Sequence, residues 1–154
     1  VRKFLFCSYV GVHGTVPLDC PTKVSSRLNG DTHYHASKIQ AERKVSEYSQ
    51  KGLNTYIFRP AITYGPGNTG FPSMLVSLVR KRMILLPPKN IKVHLLNVLD
   101  FSQLLANVLK VGPCTQRIFI VADDEPVLFK EIVDLIHCHF YKHDYPAILK
   151  MPNW

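Results

Sequence analysis

The sequence predicts an α/β fold built around a parallel sheet. Short runs rich in β-branched and aromatic residues alternate along the chain with segments of helical periodicity. Two of these runs, residues 3–7 and 55–58, flank a segment that is predicted to be helical from about residue 32 to 50. A strand–helix–strand unit of this length is typical of a parallel crossover.

The first strand and helix are predicted from clear start and stop signals. Residues 3–7 form an apolar run that ends at a serine and is followed by glycines, which predicts a buried strand feeding a loop. Turn residues precede the helix, with Asp31 or Thr32 as its N-cap, and Gly52 ends it.

The later part of the chain continues the alternation. A loop rich in glycine and proline covers residues 64–72. Five elements are predicted after the start of this loop: a helix over 72–82, a strand over 93–98, a helix over 101–111 capped by Asp100, a strand over 117–122 and a helix over 128–141.

Composition indicates a globular protein with an anionic partner. The 154 residues are 46% hydrophobic and 19% charged, and the net charge is +8. The partner of such a chain is a nucleic acid, a lipid surface or a phosphorylated small molecule. Because the basic residues are scattered apart from Arg80-Lys81-Arg82, with no nucleic-acid motif, we expect no nucleic acid, which leaves a lipid surface or a phosphorylated small molecule. No apolar run approaches the length of a membrane span.

The cysteines and histidines give weaker indications. The four cysteines lack Cys-x-x-Cys spacing, which predicts buried, reduced thiols and a cytoplasmic location. His139 and His143 stand at i and i+4 beside His137-Cys138, a spacing that zinc sites use. No third ligand is evident except Asp144, so we interpret these as polar residues of a helix end and predict no metal.

Tyr34 and Lys38 form the most informative pair in the chain. At i and i+4 they share one helical face, about 5–6 Å apart at Cβ. A tyrosine has a pKa of about 10, and a neighbouring cation lowers that pKa and brings the phenol toward useful acid–base strength. The alternative is two solvated residues of a surface helix.

The rest of this helix face favours a functional pair. Tyr34 and Lys38 begin a stripe that continues with Ala41, Val45 and Tyr48, small or apolar residues that we expect to pack inward. Lysine is rarely buried without a partner. The histidines on either side of Tyr34, His33 and His35, either tune its pKa or lie at the surface, and we favour the surface.

Four segments together resemble one family. Tyr34-x-x-x-Lys38 with Ala41-Glu42 resembles the catalytic helix of the extended short-chain dehydrogenases, the NAD-dependent epimerase/dehydratase group. The segments 59–67, 95–100 and 120–123 resemble the strand ends and loops that follow that helix, in the same order and with similar spacing. The resemblance covers most of residues 1–140.

The resemblance implies a fold and a role for each site residue. The fold would be the later part of a Rossmann-like doubly wound parallel sheet plus part of a smaller substrate-binding region. Tyr34 would be the acid–base residue, and Lys38 would bind the nicotinamide ribose and keep Tyr34 acidic. Pro60, Ala61 and Ile62 would line the nicotinamide end of NAD or NADP. The substrate would be a nucleotide sugar or a sterol-like alcohol.

The chain departs from the family at the third catalytic residue, which is a serine or threonine just after the first strand. Counting back from Gly14, that position is Tyr9, and Ser8 is one place earlier. A phenol can hydrogen-bond a substrate oxygen but is bulkier. Ser8 would substitute only if the strand end shifts by one residue; otherwise its hydroxyl satisfies loop backbone.

The second departure is the missing glycine-rich cofactor loop. No Gly-x-Gly-x-x-Gly or Gly-x-x-Gly-x-x-Gly occurs in the chain. We therefore expect a fragment, inactive alone, in which residues 1–65 end a Rossmann-like cofactor domain. Residues 66–154 would be a truncated substrate-binding region, interleaved with the strand at about 117–122.

These observations predict an NAD(P)-dependent oxidoreductase or epimerase that acts on a hydroxyl or keto carbon. A second copy of the chain, in a homodimer, is a further partner to expect. The alternative is a catalytically silent family member that serves as a binding or interaction module, and Tyr9 favours it. Arg59 either pairs with a carboxylate of the fold, which we favour, or reaches a substrate phosphate.

Overall fold

A computed structural model describes residues 3–67, 69–87, 89–112 and 117–146. The described elements follow in the order of the chain. They are β1 (Phe4–Cys7), a 3-10 helix (Val10–His13), α1 (His33–Gln50), β2 (Thr55–Pro60), β3 (Ile62–Tyr64), α2 (Phe71–Arg80), β4 (Lys92–Val93), β5 (Leu95–Asn97), α3 (Val98–Lys110), β6 (Ile118–Val121), β7 (Val127–Leu128) and α4 (Phe129–Tyr141).

The chain divides into two compact units. The first comprises Val1–Ala61 and Leu99–Ala122, and the second comprises Ile62–Val98 and Asp123–Trp154. The expected boundary at residue 65 therefore falls four residues earlier. Strand β6 belongs to the first unit, together with all but the first residue of α3.

The first unit is built on a parallel sheet of order β1-β2-β6. Every residue of β2 is buried because this strand has a neighbour on both sides. The α/β class and the parallel sheet are thus confirmed. The prediction that the first strand is buried was wrong, since β1 is an edge strand of the described sheet and its Phe4 is 41% exposed.

Helix α1 begins at the second of the two predicted caps. The Thr32 hydroxyl accepts the backbone N–H of His35 at 3.0 Å. The helix ends at Gln50, and Gly52 follows with φ +94°, a conformation that favours glycine.

The predicted inward face of α1 was wrong. The buried residues are His35, Ile39 and Glu42, whereas Tyr34 and Tyr48 are each 55% exposed. The buried stripe is one residue further along the helix, a rotation of about 100°. Apolar periodicity gives no sign of it because two of its three residues are polar and find partners inside the fold.

The second unit contains two small sheets and its own core. Strands β3 and β5 are parallel, and β4 and β7 are antiparallel. Helices α2 and α4 pack around a core of Leu75, Val79, Leu86, Val133 and Tyr145. The single strand predicted over 93–98 is split because β4 and β5 pair with different partners. Asp100 lies in the first turn of α3 and does not cap it.

Two further features bear on the predictions. Cys7, Cys20 and Cys138 are free and exposed, so the prediction of buried thiols was wrong for these three, and Cys114 lies outside the described residues. Within the described ranges, the helices are too short or too polar to cross a membrane.

Candidate active site

Tyr34 and Lys38 lie at the start of α1, beside the end of β1. The Lys38 ammonium donates a hydrogen bond to the carbonyl oxygen of Cys7, at 3.0 Å. Its nitrogen is 5.8 Å from the centre of the Tyr34 ring and 5.2 Å from that of Phe6. A cation, an accessible phenol and the last carbonyl of a parallel strand are thus brought together. An ammonium has three N–H donors, so others remain for a ligand.

Tyr9 completes this group. Its ring centre is 6.0 Å from that of Tyr34 and 5.8 Å from that of His35. Burial raises the pKa of Tyr9 above its ordinary value of 10.0, and the neighbouring Tyr34 adds to this effect. Tyr9 therefore stays protonated at neutral pH, where its hydroxyl can donate a hydrogen bond to a substrate oxygen but does not act as a base.

Ser8 is placed differently from Tyr9. Its backbone N–H donates to the carbonyl oxygen of Phe58 at 2.7 Å, which continues the β1–β2 pairing. Its side-chain oxygen is buried and has no hydrogen-bond partner among the described residues. Of the two candidates for the third catalytic residue, Tyr9 has its ring beside that of Tyr34, whereas the Ser8 hydroxyl is buried.

His35 is buried, which corrects the expectation of a surface histidine. Its Nδ1 lies 2.6 Å from Oδ1 of Asp31, and the other oxygen of Asp31 accepts the backbone N–H of Thr15 at 2.7 Å. These two donors, Thr15 first, lower the pKa of Asp31 from 3.8 to about 2. Sequence spacing offered one signal for this pair, since Asp31 and His35 stand at i and i+4.

Arg59 binds a carboxylate within the fold. Its Nε and one terminal nitrogen donate to the two oxygens of Glu42, at 3.0 and 2.6 Å. Both side chains are buried, so the favoured alternative for Arg59 is confirmed. The sequence reading missed Glu42 as the partner, although it lies in the motif that follows Lys38.

The next predicted site residues follow Arg59. Pro60 ends β2, and Ala61 donates its N–H to the carbonyl oxygen of Val121 at 2.8 Å. Both are buried in the first unit. Ile62 begins β3 and the second unit.

The second unit contains an apolar cavity of ≈ 380 Å³. Side chains of α2 and α4 line it together with residues of the four strands of this unit. Glu131 is the one charged residue among those that line it, and this carboxylate already accepts the backbone N–H of Leu128 at 3.2 Å. The cavity therefore suits a neutral, apolar group.

The histidines of α4 do not assemble a metal site in the part of the chain that the structure describes, where no group of three or more His, Cys, Asp or Glu side chains is found. His137 is fully buried, and its Nδ1 lies 2.8 Å from the carbonyl oxygen of His143, to which it donates.

Comparison with known proteins identifies the family and supports the fold. The chain is 30% identical to the UDP-glucose 4-epimerase of Vibrio cholerae over 138 residues. This aligned region covers 86% of this chain and 42% of the epimerase. Solved structures share the fold at lower identity. Bordetella bronchiseptica WbmG, in complex with NAD, matches with a TM-score of 0.78 and 18% identity over 100% of this chain and 47% of its own.

A second solved structure is the UDP-glucose 4-epimerase of Thermus thermophilus, in complex with NAD. It matches with a TM-score of 0.70 and 20% identity over 99% of this chain and 51% of its own. The chain thus spans about half the length of the relatives it matches. The model of the NAD dependent epimerase/dehydratase family matches residues 1–102. A parallel α/β sheet, a tyrosine–lysine pair on its first described helix and this match establish that the chain belongs to the NAD-dependent epimerase/dehydratase family.

Proposed function

We propose that this chain carries the acid–base half of an NAD(P)-dependent oxidoreductase or epimerase. The full protein would oxidise or reduce a hydroxyl or keto carbon of a small-molecule substrate. Tyr34 would transfer the proton, Lys38 would hold the ribose of the cofactor, and Tyr9 would donate a hydrogen bond to the substrate oxygen. General acid–base catalysis of this kind contributes about 10²–10⁴-fold to the rate.

One observation carries this proposal. Tyr34 is 55% exposed although it lies one residue away from the buried face of α1, and both the Lys38 ammonium and the Tyr9 ring lie within 6.0 Å of the centre of its ring. An accessible phenol close to a cation and to a second phenol is a suitable proton donor and acceptor for a ligand.

The residues present fit the nicotinamide half of NAD or NADP. The Lys38 ammonium keeps N–H donors beyond the one that binds the Cys7 carbonyl. Pro60 and Ala61 are buried at the end of β2 in the same unit. When bound, the cofactor supplies the hydride acceptor and donor. Ile62 is the third residue that we expect at the nicotinamide. The sequence has no glycine-rich loop for the pyrophosphate.

Two substrate classes are compatible with the chain. The relatives in the comparison include UDP-sugar epimerases, and the net charge of +8 favours an anionic ligand. The apolar cavity of the second unit favours instead the apolar body of a sterol-like alcohol. A panel of UDP-sugars and hydroxysterols, each with NAD and NADP, distinguishes the two.

The second candidate function is a catalytically silent family member that binds a ligand or a partner. Tyr9 supports this alternative, because its bulky ring occupies the place where the family has a serine or threonine. A catalytically silent protein would bind the cofactor or the substrate but would show no turnover.

The test is the Tyr34→Phe variant of the full-length protein. We expect turnover to fall by about 10²-fold or more, with the KM for the cofactor changed by less than about threefold. Tyr48→Phe is the matched control, since Tyr48 is on the same helix and equally exposed at 55%. Unchanged turnover in Tyr34→Phe would exclude Tyr34 as the acid–base group, and absence of turnover in the wild type across the panel would favour the silent alternative.

A further inference from the structure

A buried cluster of Glu42, Arg59 and His13 holds α1 on the sheet. In addition to its two bonds to Glu42, the Arg59 guanidinium directs Nη1 at Nε2 of His13, at 3.1 Å, and at the carbonyl oxygen of Val24, at 3.0 Å. The three side chains of the cluster belong to residues that are at most 4% exposed.

The partners of His13 define its protonation state. Arg59 can only donate a hydrogen bond, so Nε2 of His13 must accept and cannot carry a proton. Nδ1 lies 3.3 Å from the carbonyl oxygen of Arg27, which can only accept, so Nδ1 carries the hydrogen. His13 is therefore neutral, with its single ring proton on Nδ1.

The cluster joins the three segments that carry the candidate active site. Glu42 lies one turn after Lys38 and two turns after Tyr34 on α1. Arg59 is on β2, which pairs with β1 and so positions the Cys7 carbonyl that receives Lys38. His13 ends the 3-10 helix that follows Tyr9.

We propose that His13 is a positioning residue for this site, and that the site is in its working geometry only while His13 is neutral. The expected effect on kcat rests on the proposed function. The expected tautomer of His13 and the effect of pH on stability do not depend on it. His13 contacts neither Tyr34 nor Lys38 and acts through Arg59 and Glu42.

Protonation of His13 would break the cluster. A proton on Nε2 removes the acceptor for Arg59 and sets an imidazolium against a guanidinium. Burial and the positive charge of Arg59 lower the pKa of His13. The Arg27 carbonyl, the backbone of Ser26 and the negative charge of Glu42 raise it. Burial has the largest effect, and the pKa of His13 lies below 6.5.

The direction of the pH effect follows from this lowered pKa. Below pH 6.5 the unfolded chain takes up a proton at His13 more readily than the folded chain does. The stabilisation is complete above that pH and declines as the pH falls below it through the lowered pKa of the folded state. The helix that carries Tyr34 and Lys38 should loosen in the same range.

The first test is structural and needs no turnover. Full-length protein with ¹⁵N-labelled histidine is examined by NMR at pH 7.5, with His13→Gln used to assign the His13 signals. We expect the Nδ1–H tautomer at His13. An Nε2–H tautomer or an imidazolium would overturn the proposal whether or not the protein is an enzyme.

The second test compares pH profiles of His13→Gln and His33→Gln. Glutamine offers Arg59 an acceptor that does not titrate, and His33 is an exposed histidine near the start of α1. As the pH falls from 7.5 through 6.5 and below, we expect kcat of the wild type and of His33→Gln to decline progressively, with the KM for the cofactor nearly constant. The kcat of His13→Gln should decline less over the same range, and equal declines for all three proteins would contradict the proposal.

Thermal unfolding supplies the same comparison without a substrate. The melting temperature of the wild type and of His33→Gln should fall between pH 7.5 and 5.5 more than that of His13→Gln. Parallel curves for all three proteins would overturn the proposal. If His13→Gln does not fold, the His13 signals are assigned by elimination from single His→Gln variants of the other histidines, and the tautomer at His13 then decides the proposal.

Discussion

Tyr9 and Tyr34 lie side by side, with ring centres 6.0 Å apart and planes inclined at 56°. The two phenols come from different elements, one after β1 and the other from the first turn of α1, and they differ in burial. Because burial raises the pKa of Tyr9, the more exposed Tyr34 is the better candidate for proton transfer. In the proposed site, Tyr9 would then donate a hydrogen bond to the substrate oxygen.

Tyr9→Thr should keep or raise the turnover of an active full-length protein. The substitution restores the short hydroxyl and relieves crowding beside Tyr34, so kcat for the substrate found in the panel is the measurement. A loss of more than about tenfold, or about 1.4 kcal/mol in barrier, would mean that the phenol has a catalytic role of its own. In a silent protein, the same substitution is a direct trial for restored oxidation of alcohols.

Gly11→Ala should displace Tyr9. A Cβ at this position would overlap Cε1 of Tyr9 and would lie 2.7 Å from Nε2 of His35. We expect a loss of about 1–3 kcal/mol in unfolding free energy, typical of overpacking, and a change in KM for the substrate. Gly112→Ala is the control, since among the described residues, its chain neighbours aside, no atom lies within 4 Å of the added Cβ. Equal stabilities of the two variants in urea would contradict the packing of Tyr9 on Gly11.

Glu42→Gln should destabilise the first unit strongly. The substitution leaves the buried Arg59 guanidinium without its counter-charge, and breaking a buried pair in this way costs about 3–5 kcal/mol. Glu47→Gln on the same helix removes the exposed partner of Lys44 and should change stability little. Denaturant titration of both variants is the measurement, and similar midpoints would show that the Arg59–Glu42 pair contributes little.

Asp31→Asn should reduce the dependence of the unfolding free energy on pH below 3.8. The pKa of Asp31 is about 2 in the folded chain and 3.8 otherwise, so this carboxylate stabilises the fold above pH 3.8. Its contribution is lost as the pH falls from 3.8 to about 2. Asp124, an exposed aspartate after β6, supplies the control. Urea unfolding between pH 5 and pH 2 should show a smaller decline in stability for Asp31→Asn than for Asp124→Asn. Identical declines would mean that the bonds from Thr15 and His35 do not stabilise the charged form.

Residues 1–154 alone should bind NAD weakly or not at all. Tyr34, Lys38 and Pro60 belong to the nicotinamide half of the proposed site, and the sequence has no glycine-rich loop for the pyrophosphate. Isothermal titration with NAD and NADP measures this. Micromolar affinity for either, about 8 kcal/mol, would show that a complete cofactor site exists in this chain.

The sequence by itself determined the α/β class, the order of the four helices and of the three strands of the parallel sheet β1-β2-β6, and the pairing of Tyr34 with Lys38. These features depend on local signals: apolar runs, turn residues, a capped helix start and a fixed spacing of four residues. Local signals survive folding because they are set by neighbours along the chain. The family model matches residues 1–102, which include the Tyr34–Lys38 motif from which the family resemblance was inferred.

Only the tertiary structure decided which face of α1 is buried and what surrounds the site. Ile39 is the sole apolar residue among the three that the helix buries, and its polar companions His35 and Glu42 are tolerated because Asp31 and Arg59 meet them. Such pairings join residues up to 17 positions apart, and His13 meets Arg59 across 46. Hydrophobic periodicity cannot reveal a buried polar side chain whose partner lies on another element, because its burial depends on that partner and not on its own polarity.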